Sequence, residues 1–172
     1  MAAADLTAAR LREVLAYEPD TGQFTWISRT VPAGTHGGKR LPIGSVAGNT
    51  SDGYCRIKID GSHYKAHRLA WLYVHGRWPS RHIDHINGVK TDNRICNLRE
   101  ASDRLNSQNI RLPHKDSESQ LLGVRWIERL NLWGSRICHE GRIIWLGNHR
   151  TPEAAHAAYL EAKRRLHEGC TI

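Results

Sequence analysis

The sequence predicts an α+β protein built from two modules. Residues 82–110 show the pattern of a strand, a polar loop, a second strand and a short helix. Residues 113–120 are polar and lack periodicity, which is typical of a linker. Residues 121–172 show three strand patterns followed by a helix pattern. We therefore expect one module over residues 1–112, with its core motif at 67–110, and another over 121–172.

The first module opens with short elements ahead of its core motif. Leu6, Leu11, Val14 and Leu15 fall near helical spacing, and Thr7 is a suitable N-cap. We expect the strands that follow to extend the sheet of residues 82–110. The predicted elements are a turn at 17–22, a strand at 23–27, a loop at 32–50, strands at 54–59 and 63–65 joined at Asp60-Gly61, and a helix at 66–75 ended by Gly76.

The second module predicts a three-stranded sheet covered by one helix. Strands are expected near 123–128, 133–139 and 142–147, and Glu140-Gly141 forms a tight turn. Thr151 caps a helix that has Pro152 at its first position. Because side chains alternate between the faces of a strand, Val124, Ile137, Ile144 and Leu146 are expected to face the helix, and Arg125, Arg136 and Trp145 to face outward.

The overall charge favours a polyanionic partner. The chain of 172 residues has a formal net charge of +8 and a pI near 9.7, although many soluble proteins are simply basic. No apolar run approaches the ~18 residues that span a bilayer, and the start lacks the pattern of a secretory signal. The four cysteines are scattered, which argues against a zinc knuckle and a disulfide framework and fits a reducing cytoplasm.

The block at 82–110 contains the groups that phosphodiester cleavage requires. A base must take a proton from the attacking water, and a divalent ion must neutralise charge on the phosphate. His85 suits the first role, since its unperturbed pKa of ~6.5 leaves it largely neutral at pH 7. Asp84 and Asn106 offer hard oxygen ligands of the kind that Mg²⁺ takes. Neighbouring strand residues point to opposite faces, so the backbone must bend after Asp84-His85, which the turn at Asn87-Gly88 allows.

This block resembles the HNH endonuclease motif in its phage homing-endonuclease form, which has the ββα-metal fold. Asp84-His85, Asn97 and Asn106 match that pattern in order, and residues 67–71 and 76–79 resemble the segment before it. The resemblance implies Asp84 and Asn106 as ligands of Mg²⁺ or Mn²⁺ and His85 as the general base. It implies Asn97 as a brace for the loop and the imidazole. His67 and His82 are candidates for supporting roles, although isolated histidines are more often structural.

Residues 121–168 resemble the AP2 DNA-binding domain, including its phage versions. The resemblance rests on residues 123–125, 133–134 and 145–147 and on the helix after Thr151. It implies a sheet that enters the DNA major groove with the helix behind it. The outward Cys138 departs from plant members, so base preferences are not carried over. The residues expected to contact DNA are Arg125, Arg129, Trp133, Arg136, Arg142 and Trp145, with Arg68 in the first module along the DNA path.

Together these observations predict a metal-dependent DNA endonuclease anchored on double-stranded DNA by its second module. We expect a monomer or a homodimer in the cytoplasm of a bacterial or phage-infected cell, and a monomer with one active site would nick. One alternative is a sequence-specific DNA-binding regulator with an inactive HNH scaffold, and another is a protein-interaction sheet in the second module. A zinc-binding structural module is disfavoured, because few Cys and His residues have ligand spacing.

Overall fold

The structure, a computed structural model, describes residues 6–28, 42–168 and 170. Most of the predicted loop at 32–50 therefore lies outside the described residues. The chain forms two compact units, of which the first ends at Ala101 and the second begins at Ser102. The stretch at 113–120, which the sequence predicts as the linker, lies inside the second unit.

Within the described residues, the first unit consists of two α-helices and seven short strands. The strands form three antiparallel sheets: the hairpin β1-β2, the sheet β3-β4-β5 and the hairpin β6-β7. The elements in chain order are α1 (Ala8–Val14), β1 (Leu15–Glu18), β2 (Gln23–Trp26), β3 (Asn49–Ser51), β4 (Tyr54–Ile59), β5 (Ser62–Lys65), α2 (Ala66–His75), β6 (His82–His85) and β7 (Leu98–Ala101).

Apolar side chains from both helices and the N-terminal strands form the core of the first unit. Leu11 of α1, Ile57 of β4 and Leu69 of α2 are fully buried in one cluster. The predicted caps are confirmed: Thr7 accepts a hydrogen bond from the amide of Arg10 at 3.1 Å, and Gly76 ends α2 with a φ of 70°. The two caps thus fix where α1 begins and where α2 ends.

Two expectations for the first unit are wrong. Residues 15–18 form strand β1 instead of the end of a helix and a turn, and their burial alternates along the strand. Among the described residues, β6 and β7 pair only with each other, so the N-terminal strands do not extend their sheet. The hairpin β6-β7 does not need a third strand to hold it in place, because its side chains pack on the core. Leu98 of β7 belongs to that core.

The second unit contains a short helix, a three-stranded sheet and a long helix. The sheet is antiparallel with the order β10-β9-β8, and α4 packs against all three strands. Thr151 caps α4 through a hydrogen bond from the amide of Ala154 at 3.2 Å. The elements are α3 (Asp103–Gln108), β8 (Val124–Ile127), β9 (Leu132–His139), β10 (Arg142–His149) and α4 (Pro152–Leu166).

A close approach between Gly123 and Tyr159 joins the start of the sheet to the helix. A Cβ atom at Gly123 would lie 2.0 Å from the Tyr159 ring, and the φ of Gly123 is 74°. Glycine is therefore required there for both space and backbone conformation.

In the part of the chain that the structure describes, no helix is long and apolar enough to cross a membrane.

Candidate active site

The hairpin β6-β7 places Asp84 and His85 at the end of a strand. Asp84 pairs with Arg99 and His85 with Leu98 in the antiparallel register. Both side chains are buried. The strand ends at His85, whose carbonyl accepts a hydrogen bond from the amide of Gly88 at 2.8 Å. The backbone thus turns directly after His85, as the sequence predicts.

Arg99 holds the carboxylate of Asp84 from the neighbouring strand. Its Nε and Nη2 atoms donate to Oδ2 of Asp84 at 3.0 and 2.8 Å. Two charge-assisted bonds from a single guanidinium fix the position of a carboxylate. The buried Asp84 is therefore held in place at the end of β6.

Asn97 closes the loop that follows His85. Its Oδ1 accepts a hydrogen bond from the amide of Asn87 at 2.9 Å, and its Nδ2 donates to the carbonyl of Asp92 at 2.8 Å. Its own carbonyl accepts from the amide of Ile86 at 2.9 Å. These three bonds tie both sides of the loop to one buried residue, two of them through its side chain and one through its carbonyl.

His85 lies against two residues that sequence reasoning undervalued. Its Nε2 is 3.4 Å from Oδ1 of Asn93, and its ring centroid is 5.0 Å from that of His67. Burial lowers the pKa of His85, and a hydrogen bond to Asn93 and the charge of Asp84 oppose this effect. Burial also lowers the pKa of His67 to about 3, with the neighbouring His85 acting in the same direction. Both rings are therefore neutral at neutral pH.

An aromatic ring flanked by two lysines adjoins the histidine pair. The Tyr54 ring centroid is 5.4 Å from that of His67 and 6.1 Å from that of His85. The ammonium groups of Lys65 and Lys90 lie 4.5 and 5.0 Å from the centroid of the Tyr54 ring. Two exposed cations beside a buried histidine form an environment that attracts a phosphate group.

Asn106, the other expected metal ligand, lies on α3 in the second unit and is exposed. Ser102 caps α3 through a hydrogen bond from the amide of Leu105 at 3.2 Å. Within the described ranges, no group of three or more His, Cys, Asp or Glu side chains could hold a metal ion. The carboxylate of Asp84 is a hard oxygen donor, which suits Mg²⁺ with its retained waters better than Zn²⁺.

The second unit presents a basic and aromatic face on its sheet. Arg136 pairs with Trp145 and Arg125 with Gly134 in the register, so these residues share one face. The guanidinium of Arg125 lies 5.6 Å from the centroid of the Trp145 ring. Val124 and Ile137 are buried on the opposite face. The predicted facing of Arg125, Arg136 and Trp145 agrees with this arrangement, and we call these three residues the outer face.

The remaining expected DNA contacts lie elsewhere. Trp133 pairs with Trp126 on the side of the sheet that also carries Val124, with ring centroids 5.0 Å apart, so it is not part of the outer face. Strand alternation causes this, because Gly134 takes the outward position. Arg129 is exposed after β8, and Arg142 is exposed at the start of β10. In the first unit, Arg68 lies over the Trp78 ring at 5.7 Å.

Comparison with known proteins identifies the family of the predicted motif. The family model for HNH endonucleases matches residues 64–108, a range that contains all four residues of the predicted motif. Protein 3.8 of Escherichia phage T7 is 34% identical over 83 residues, which is 46% of this chain and 68% of the phage protein. The chain belongs to the same family as Protein 3.8 and carries an HNH endonuclease domain. No solved structure matches it significantly.

The matched HNH range contains some of the residues of the site and leaves others outside. Asp84, His85 and Asn97 lie inside it, as do Asn93 and His67. Tyr54 lies outside, and only its neighbours in space connect it to the site. No motif spacing marks Tyr54 or Asn93, and the one sequence signal for Asn93 is its place in the polar loop between Asn87 and Asn97.

Proposed function

We propose that this protein is a divalent-metal-dependent DNA endonuclease that hydrolyses the phosphodiester backbone. The observation that carries the proposal is the buried pair Asp84-His85 at the end of β6, within a loop that Asn97 closes. A buried carboxylate beside a neutral imidazole supplies a cation ligand and a base within one strand end. An HNH domain at the same residues supports nuclease chemistry.

Each residue has a defined task in the proposed reaction. Neutral His85 accepts a proton from the water that attacks phosphorus, and the bond to the 3′ oxygen breaks. Lys65 and Lys90 attract the phosphate toward this base from beside Tyr54. Asn97 keeps the loop after β6 closed, so the base stays in position.

The donor chemistry of the site fits Mg²⁺ or Mn²⁺. Asp84 is the residue of the first unit that would hold the ion, with the phosphate and waters completing its shell. When bound, the ion supplies Lewis-acid stabilisation of the phosphate and the leaving oxygen. Arg99 orients Asp84 for this role by donating two hydrogen bonds to Oδ2 of its carboxylate.

Cleavage of supercoiled plasmid with Mg²⁺ tests the proposal. His85→Ala should lower the rate by at least ~10²-fold, within the range of general base catalysis, and leave DNA binding nearly intact. His63→Ala is the matched control, because His63 is an exposed histidine on β5 of the same unit. EDTA should abolish cleavage. Cleavage at the wild-type rate by His85→Ala, or full activity in EDTA, would show that the assigned chemistry is wrong.

We also infer that the second unit anchors the enzyme on duplex DNA in the manner of an AP2 domain. The support is the outer face, on which two arginines and a tryptophan share one side of a three-stranded sheet. An arginine can pair with both acceptors of guanine, and arginines elsewhere hold phosphates. The division between a cutting module and an anchoring module is that of a homing-type or nicking phage endonuclease.

A binding measurement separates this anchor from a protein-interaction sheet. Arg125→Ala with Arg136→Ala should weaken DNA binding more than the same number of changes at exposed arginines of α4, namely Arg164→Ala with Arg165→Ala. Equal DNA affinity for the outer-face variant and the wild type would favour the interaction sheet. If the wild type binds DNA specifically but cleaves it with none of the divalent ions tested, the regulator with an inactive HNH scaffold would be favoured.

A further inference from the structure

Asn93 is the residue in the loop that touches the imidazole of His85. It is buried, with Oδ1 3.4 Å from Nε2 of His85 and Nδ2 donating to the carbonyl of Thr91 at 3.2 Å. Since the amide nitrogen is used as a donor, the amide oxygen acts as the acceptor toward His85. A neutral imidazole that donates from Nε2 carries its lone pair on Nδ1. The contact therefore selects both a ring orientation and a tautomer.

The backbone of Asn93 is held by the hairpin β1-β2, which lies outside the HNH domain. The hydroxyl of Tyr17 donates to the carbonyl of Asn93 at 2.7 Å, in a buried hydrogen bond. Tyr17 is in turn fixed by Phe24, whose ring centroid is 4.8 Å away. Burial raises the pKa of Tyr17 to about 12, so its hydroxyl remains a donor at neutral pH.

The turn of this hairpin makes a second contact with the same segment. Gly22 has a φ of 72°, and a Cβ atom there would lie 2.4 Å from the amide nitrogen of Arg94 and 2.5 Å from the carbonyl carbon of Asn93. Glycine is required for this approach. Two independent contacts from β1-β2 thus converge on one peptide unit that is adjacent to the proposed base.

We propose that the hairpin β1-β2 is a positioning element for the general base. Tyr17 fixes the main chain of Asn93, and the Asn93 side chain fixes His85 with Nδ1 as the proton-accepting nitrogen. Both are positioning residues, since neither touches the reacting atoms. The inference rests on the proposed function and deepens it, because it assigns the base atom and the element that holds it.

The effect of losing the Tyr17 hydroxyl on activity differs between a purely structural role and a role that acts through Asn93. If Tyr17 only stabilises the fold, its loss lowers activity in proportion to the fraction of folded protein, whatever residue stands at 93. If it acts through Asn93, its effect disappears once the Asn93 side chain is gone. A double-mutant cycle on the full chain separates the two cases.

The cycle uses Tyr17→Phe, Asn93→Ala and the double variant, with kcat and KM measured for plasmid nicking. Asn93→Ala should lower kcat by about 10-fold or more, the scale for loss of a group that orients a histidine, with little change in KM. Tyr17→Phe should lower kcat about 3-fold or more in the wild type and less than about 2-fold in the Asn93→Ala background. Asn93→Asp keeps the acceptor oxygen and should retain more activity than Asn93→Ala.

Tyr73→Phe is the matched control. Its ring belongs to the same aromatic cluster, with its centroid 5.7 Å from that of Tyr17, so loss of its hydroxyl tests the cluster without touching Asn93. Its kcat should stay within about 2-fold of the wild type. Circular dichroism at the assay temperature gives the folded fraction of each variant. Equal losses from Tyr17→Phe in both backgrounds would overturn the proposal.

Nitrogen-15 NMR of labelled histidine tests the same inference without any cleavage. The wild-type His85 should show the Nε2–H tautomer at neutral pH, and Asn93→Ala should show a mixture of tautomers. A wild-type His85 in the Nδ1–H form would overturn the proposal even if the enzyme is active. If the wild type fails to cut DNA but shows the expected tautomer, the proposed function fails and the positioning contact stands.

Discussion

Trp145 on the outer face depends on the absence of a side chain at Gly134. A Cβ atom at Gly134 would lie 2.3 Å from Cη2 of Trp145 and 2.6 Å from Cδ1 of Ile127. The indole therefore occupies the space above the glycine, and Arg125 lies over the indole. At the scale of the residue, a single hydrogen atom on β9 sets the position of both side chains that we propose to contact DNA.

Gly134→Ala should weaken DNA binding without unfolding the second unit. The added methyl group displaces Trp145 from the sheet, which disrupts its stacking with Arg125. The backbone of β9 accepts alanine, because Gly134 does not have a positive φ. DNA affinity by fluorescence anisotropy should fall several-fold, and thermal unfolding should remain cooperative. Ser119→Ala, in the segment before β8, serves as the control. Unchanged affinity for Gly134→Ala would remove Trp145 from the DNA contacts.

Arg125 and Arg142 should differ in what their loss does to recognition. Loss of a bidentate Arg–guanine contact costs about 1–3 kcal/mol and relaxes preference at one base position. Loss of a phosphate contact weakens all sequences alike and lowers the salt slope by about one. Selection on randomised DNA at two salt concentrations should show an altered motif for Arg125→Ala and uniform weakening for Arg142→Ala. An unchanged motif for Arg125→Ala would exclude base reading by this residue.

The loop between β6 and β7 is the element on which the site depends, and Asp92 organises it. Its Oδ2 accepts from Nδ2 of Asn87 at 2.7 Å and from Nη2 of Arg94 at 2.6 Å, and its Oδ1 accepts from Nε of Arg94 at 2.8 Å. Hydrogen bonds from Arg94 lower the pKa of Asp92 to about 2, and those from Asn87 act in the same direction. The loop is therefore held by one ionised carboxylate as well as by Asn97.

The stabilisation from Asp92 should depend on pH in the acid range. Because the pKa is lower in the folded chain than in the unfolded one, this stabilisation is complete above the unfolded pKa of about 4 and is lost as pH falls toward 2. Asp92→Asn should lower the free energy of unfolding by about 1 kcal/mol at neutral pH, discounted for solvent screening at a surface loop. The difference from the wild type should shrink below pH 4 in urea titrations. A difference that stays constant to pH 2 would contradict the assignment.

Elements with strong local signals were predictable from the sequence. Thr7 and Thr151 mark helix starts, and alternation along β8, β9 and β10 predicts the facing of Arg125, Arg136 and Trp145. Strand β1 is not predicted, because Leu15 continues the apolar pattern of α1 and Tyr17 begins the predicted turn at 17–22. Only pairing with β2 makes these residues a strand. Asn93 and Tyr17 were missed as a pair because 76 residues separate them along the chain.

At the scale of the whole molecule, positive charge and a single HNH domain determine the expected behaviour on DNA. A net charge of +8 predicts an affinity for DNA that falls steeply as the salt concentration rises. The domain at 64–108 provides one proposed base, His85, in each chain. One base attacks one strand, so a second break requires a second chain or a second encounter.

Supercoiled plasmid should therefore pass through the open-circular form before any linear form. A time course on an agarose gel at limiting enzyme should show the nicked product first, and linear product should accumulate later in a way that depends on enzyme concentration. Linear product that forms first, with no open-circular intermediate, would indicate a dimer that cuts both strands in one encounter. Sedimentation analysis with and without DNA provides the independent measure of that state.

The close approach of Gly22 to the peptide of Asn93 affects how the HNH domain can be moved into a fusion protein. A cassette cut at residues 64–108 would carry Asp84, His85, Asn97 and Asn106 into a fusion protein but would lose the Tyr17 hydroxyl and the turn that touches the loop. Leu6 contributes a carbonyl to the indole nitrogen of Trp78 as well. We therefore expect a fusion that begins at Leu6 or earlier to retain more cleavage activity than one that begins at residue 64.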